Sequence, residues 1–89
     1  MAHHLDASKR IRQNLKRRLR NRSYRTRIRN QVKAVRAAVT EGNVEQAQTE
    51  LRGAMSALHK GVSKGVIHRN QAGRRIARLN ASVKALAVG

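Results

Sequence analysis

Apolar residues recur at helical spacing in three separate stretches of the chain. Tyr24, Ile28, Val32, Val35 and Val39 follow at intervals of four, four, three and four, which puts them on one face of a helix. Val44, Ala47, Leu51, Ala54 or Met55, and Leu58 repeat the pattern, as do Ala72, Ile76, Leu79, Val83 and Leu86. Upstream, Ile11, Leu15 and Leu19 are also four apart. The step from Leu19 to Ile28, however, is half a turn out of phase at about 100° per residue. The two apolar stripes of the first stretch therefore do not share a face. Only the part after about Tyr24 is expected to pack in a core.

The breakers divide the chain in the same way. Proline is absent and glycine occurs six times. Gly42 can take the left-handed conformation that ends a helix, and Asn43 can cap the next, with Gln46 completing a capping box. Gly61 and Gly65 bracket what reads as a flexible connection, and His68 or Asn70 is the candidate cap that follows it. Gly53 and Gly73 fall inside periodic segments. The expected architecture is all-α, a single domain over residues 1–89 with helices at about 8–40, 43–60 and 68–87. Short connections make this a three-helix bundle with antiparallel neighbours. A first helix of about 50 Å beside partners of about 27 Å should overhang the bundle by roughly 20 Å.

Charge decides what such a bundle is for. The 89 residues carry 21 Lys and Arg against four Asp and Glu, a net charge of +17. Like charges at that density repel within a compact chain, so their retention points to a polyanionic partner. Arg outnumbers Lys fifteen to six, and the planar guanidinium bonds two phosphate oxygens at once, which favours nucleic acid.

Thirteen of these cations lie between residues 9 and 36 with no acid among them: Lys9, Arg10, Arg12, Lys16, Arg17, Arg18, Arg20, Arg22, Arg25, Arg27, Arg29, Lys33 and Arg36. Before about Arg22 they point in every direction around the helix. A rod that is basic all round fits insertion between phosphates on several sides better than it fits one solvated face. Further on, Arg22, Arg29, Lys33 and Arg36 gather on one flank. Repulsion between like charges one turn apart disfavours the isolated helix, so this segment is expected to gain order on binding. A second cluster, Lys60, Lys64, Arg69, Arg74, Arg75 and Arg78, surrounds the glycines and the start of the third helix. There the backbone amides of the Gly61–Gly65 connection and the helix N-terminus are expected to approach phosphates. Tyr24 is the only aromatic residue. Without a platform for unstacked bases, duplex or tertiary RNA read by backbone shape is the expected ligand.

Other classes find little material. The four carboxylates are Asp6, Glu41, Glu45 and Glu50, the last three expected around a turn and on the wet side of the second helix. His3 and His4 are adjacent and diverge, His59 reads as solvated, and His68 reads as a cap or a phosphate contact. No catalytic constellation, metal site or cofactor loop is present, so neither an enzyme nor a small-molecule substrate is expected. No cysteine is present, which suits a reducing compartment. No apolar run approaches the ~20 residues of a membrane span, and Met1 to Asp6 show no apolar signal region. A membrane-active amphipathic helix would want an unbroken apolar face with aromatic anchors. An architectural DNA-binding protein remains the main alternative, although no groove-entering wedge or dimer interface stands out. A cytoplasmic protein without homo-oligomerisation is expected.

The run Lys64-Gly65-Val66-Ile67-His68-Arg69-Asn70-Gln71-Ala72-Gly73-Arg74 closely resembles the signature of the bacterial small-subunit ribosomal protein S20 family. Ser8-Lys9-Arg10, Arg12, Lys16-Arg17-Arg18 and Asn21-Arg22-Ser23 are similar to the basic first helix of that family. Glu41-Gly42-Asn43 resembles its Ala-Gly-Asp turn. Asp6 departs from the pattern, standing where a basic residue is usual, and Asn43 replaces the usual Asp cap. The resemblance implies a ribosomal constituent that binds 16S ribosomal RNA directly and early in assembly. It implies that the long helix lies among RNA helices of the 5′ domain, near the long penultimate stem. RNA contacts are then expected from Lys9 to Lys33 as named above, Arg27 excepted, together with Asn21, Lys64, His68, Arg69, Asn70, Arg74 and Arg75.

Overall fold

The computed structural model describes residues 2–89. Met1 and the side chains of residues 2–5 lie outside the described set, and with them the reading of His3 and His4. Two glycines set the architecture. Gly42 and Gly65 have φ of +75° and +72°, the left-handed region that L side chains rarely adopt. Gly42 directly follows the last helical residue before it and Gly65 lies two beyond its own, and each closes the same pair of bonds. At the first turn the Gly42 N–H donates to Val39 O (3.1 Å) and the Asn43 N–H to Ala38 O (3.1 Å). At the second, the Gly65 N–H donates to Val62 O (3.0 Å) and the Val66 N–H to Gly61 O (2.8 Å). Both are Schellman motifs, which satisfy carbonyls that a helix end leaves without partners.

The three helices between these stops are α1 (Ala2–Glu41), α2 (Val44–Ser63) and α3 (Arg69–Val88). The Asn43 side chain caps α2 by accepting from the Gln46 N–H at 3.1 Å. The reciprocal half of the capping box is not made, because the Gln46 amide donates to Glu50 Oε1 instead (2.7 Å). His68 rather than Asn70 caps α3, its Nδ1 accepting from the Asn70 N–H at 3.1 Å.

Three expectations need correction. α1 begins at Ala2, not near Ser8, since no residue before Ser8 breaks a helix. α2 runs three residues past Lys60, so Gly61 is helical and buried rather than part of a flexible connection. The reason is packing: a Cβ on Gly61 would lie 2.9 Å from Ile28 Cδ1 and 3.0 Å from Ile67 Cγ2, and the helix needs a residue without one. Glu50, expected to face water, is half-buried against α1. Its Oε2 accepts from Gln31 Nε2 (2.7 Å), which also donates to the Glu50 carbonyl (3.1 Å). Gly53 leaves room for that glutamine, whose Nε2 would lie 2.6 Å from a Cβ there.

The core forms two layers along the bundle. Val35 and Ala38 of α1, Ala47, Leu51 and Ala54 of α2, and Leu79 and Val83 of α3 make the layer nearer the first turn. Ile28, Ala57, Leu58 and Ala72 make the layer nearer the second, and Val32 packs against both. These pairings run α1 and α3 parallel, with α2 antiparallel between them. Residues of α1 before about Asn21 have no core partner and project past the α2–α3 connection. The helix of 40 residues is about 60 Å long against about 30 Å for the others. The overhang is therefore nearer 30 Å than 20 Å. The molecule measures 67 × 21 × 13 Å, with a radius of gyration of 17.7 Å where about 12 Å would suit a compact chain of this length.

Two glycine substitutions should move stability in opposite directions. Gly61→Ala is expected to cost about 1–3 kcal/mol through overpacking against Ile28 and Ile67. Gly73→Ala meets nothing within 4 Å and should stabilise the helix by about 0.5–1 kcal/mol. Urea denaturation of both variants checks the pair; equal midpoints would refute the packing argument.

Candidate nucleic-acid interface

The cations of α1 fall into two settings. Lys9 to Arg20 are exposed and strung around the overhang on all sides, and the fold brings none of them to a partner helix. Arg25, Arg29, Lys33 and Arg36 instead line an open groove between α1 and α3 of about 550 Å³. Arg75 and Arg78 line it from α3, together with Gln71 and the connection residues Val66 and Ile67. Its apolar surface comes from Ile28, Val32, Val66, Ile67 and Leu79. Six cations and no carboxylate face one concavity. Their mutual repulsion is relieved by water, by counterions or by a polyanion lying along the groove.

Arg25, Arg29, Lys33 and Arg75 were expected at the interface and are brought together. Arg36 and Arg78 complete the groove. Their signals were in the sequence: Arg36 shares the flank of Arg29 and Lys33, and Arg78 lies one turn beyond Arg75. Pairing the two flanks requires knowing that α1 and α3 are parallel neighbours, which spacing alone does not reveal.

Lys64, Arg69, Asn70 and Arg74 are exposed around the α2–α3 connection, at the root of the overhang, outside the groove. The connection amides are not free for phosphate, contrary to expectation. The Gly65 and Val66 N–H groups are spent in the turn, and the Ile67 N–H reaches Gly61 O at 3.4 Å. His68 accepts at Nδ1, so a neutral ring carries its proton on Nε2 as a single donor. Asn21 is half-buried and its Oδ1 is enclosed without a hydrogen-bond partner among the described residues. That oxygen is not presented to a ligand. Arg22 is exposed at the base of the overhang.

Tyr24 offers no stacking surface. It is half-buried, and the Arg27 guanidinium lies 5.8 Å from its ring centroid, a cation–π arrangement. Among the described residues no three His, Asp or Glu side chains gather as metal ligands. Among the described residues no helix is long and apolar enough to cross a membrane.

The described residues form an elongated, all-α, strongly basic bundle with a projecting rod and a cationic groove. The sequence profile of ribosomal protein S20 matches residues 2–84. This chain belongs to the ribosomal protein S20 family. It is 54% identical over 88 residues to the small ribosomal subunit protein bS20 of Helicobacter acinonychis, covering 99% of each chain. The protein of the same name from Oleidesulfovibrio alaskensis is 55% identical over 93% of this chain and 95% of its own. That of Wolinella succinogenes is 54% identical over 97% and 94%. The architectural DNA-binding alternative finds no support among these relatives.

Proposed function

We propose that this protein binds 16S ribosomal RNA directly and holds separate elements of its fold together by screening their phosphates. As a member of its family it is a structural constituent of the small ribosomal subunit and catalyses no reaction. The observation that carries the RNA reading is the distribution of charge. The rod carries cations around most of its circumference and continues into a groove rimmed by six cations, so it serves phosphates on more than one side. RNA packed around the overhang removes the repulsion that disfavours its helix, and the segment gains order there. Lys64, Arg69, Arg74 and the Nε2–H of His68 extend the contact at the root of the rod.

The finer placement follows the resemblance of the first helix and of the Lys64–Arg74 run. The RNA elements are those of the 5′ domain and the region of the long penultimate stem. Chemical footprinting of the protein on 16S RNA tests this. Protection should appear in both regions at once, since the rod also carries cations on sides that the groove does not face. Protection confined to other domains would refute the placement. Equal affinity for mixed-sequence DNA in competition would refute RNA selectivity.

A further inference from the structure

The core does not use Ile11, Leu15 and Leu19. All three remain exposed, at 68%, 56% and 60%. Isolated apolar residues on a surface need no explanation, but these three are aligned along about 12 Å of one face of the rod. That face lies about 100–180° around the helix from Ile28, off the core side. It is also collinear with the basic flank of the groove. Leu15 and Lys33 are five full turns apart at about 3.6 residues per turn, so they share one line of α1. A ligand that follows Lys33 and Arg29 out of the groove meets the stripe next.

We propose that Ile11, Leu15 and Leu19 form a contact for the minor groove of double-helical RNA, their side chains lying against the ribose face while flanking arginines hold the phosphates. This rests on the reading that the overhang enters folded RNA. The minor groove of A-form RNA is wide and shallow and displays base edges and 2′-hydroxyls, and the riboses that line its sides offer carbon faces that aliphatic side chains can cover. Charge narrows the choice of occupant. Arg12, Arg18 and Arg22 flank the stripe, and no acid lies between Asp6 and Glu41. A second copy would set +17 against +17. The occupant must be anionic and must also present a face that apolar groups can cover. An anionic bilayer shares the charge, but the stripe has no aromatic anchor and spans only two turns.

The test is the triple variant Ile11→Gln, Leu15→Gln and Leu19→Gln. It leaves every charge in place, and glutamine has a helix propensity close to that of leucine. Its dissociation constant for folded 16S RNA is measured across a salt series beside the wild type. The expected result is a loss of affinity of roughly 10- to 100-fold at every salt concentration, with an unchanged slope of log K against log salt. Circular dichroism and Tm should match the wild type, because the three side chains touch no core residue. Affinity within twofold of the wild type, with the steep slope retained, would overturn the proposal while leaving RNA binding by the rod intact. Loss of phosphatidylglycerol-vesicle binding with unchanged RNA affinity would also overturn it. A wild-type protein without salt-dependent RNA binding would sink the underlying reading itself.

Discussion

Replacing Arg17, Arg18 and Arg22 together with glutamine is expected to flatten the salt dependence of RNA binding by about 2–3 units of log–log slope. Each phosphate neutralised on a duplex contributes about −0.9 to that slope through counterion release. At about 0.1 M salt, every such contact is worth nearly tenfold in affinity, so three removed together should weaken binding several-hundred-fold. All three residues are exposed, and the variant has less self-repulsion than the wild type, so its Tm should not fall. Filter binding or calorimetry between about 50 and 300 mM salt gives the slope directly. An unchanged slope would remove the overhang from the interface.

The second large effect lies in the core. Leu58 is fully buried in the layer it shares with Ile28, Ala57 and Ala72. Leu58→Ala should cost about 2–5 kcal/mol, the transfer term plus the cavity left behind. A domain of this size has only roughly 4–13 kcal/mol in total. This one is disadvantaged further, because its surface of 7039 Å² exceeds the roughly 5,200 Å² of a compact chain of its mass. Thermal unfolding should show a Tm lowered by 10 °C or more, at roughly 4–8 °C per kcal/mol. Leu15→Ala, made on the exposed stripe, should shift it little. Equal effects from the two would contradict the assignment of core and overhang.

Much of the fold was legible because its signals are local. Gly42 and Asn43 declare the first turn through backbone conformation and a side chain three residues from its donor. The phase break between Leu19 and Ile28 marks where packing starts. The failures have tertiary causes. Gly61 looks like a breaker until Ile28 and Ile67 are placed against it. Ala38 and Ala57 are buried, yet alanine fits either face of a helix and carries no periodic signal. Glu50 reads as solvated until Gln31 arrives from another helix.

The interface was legible as a set of cations but not as a surface. The charge run named the residues of the rod, and like-signed neighbours along one helix are visible from spacing alone. That Arg36 and Arg78 line one groove depends on helices far apart in sequence. Asn21 illustrates the converse, since nothing in the sequence indicates that its amide oxygen turns inward.

α1 and α3 are joined by no turn of their own, and each is held chiefly through α2. Their seam is the least closely packed of the three, and regions so held open at the lowest free energy. The cleft between them is thus the least tightly held side of the bundle. The proposed RNA contact therefore falls on the seam that opens at the lowest free energy.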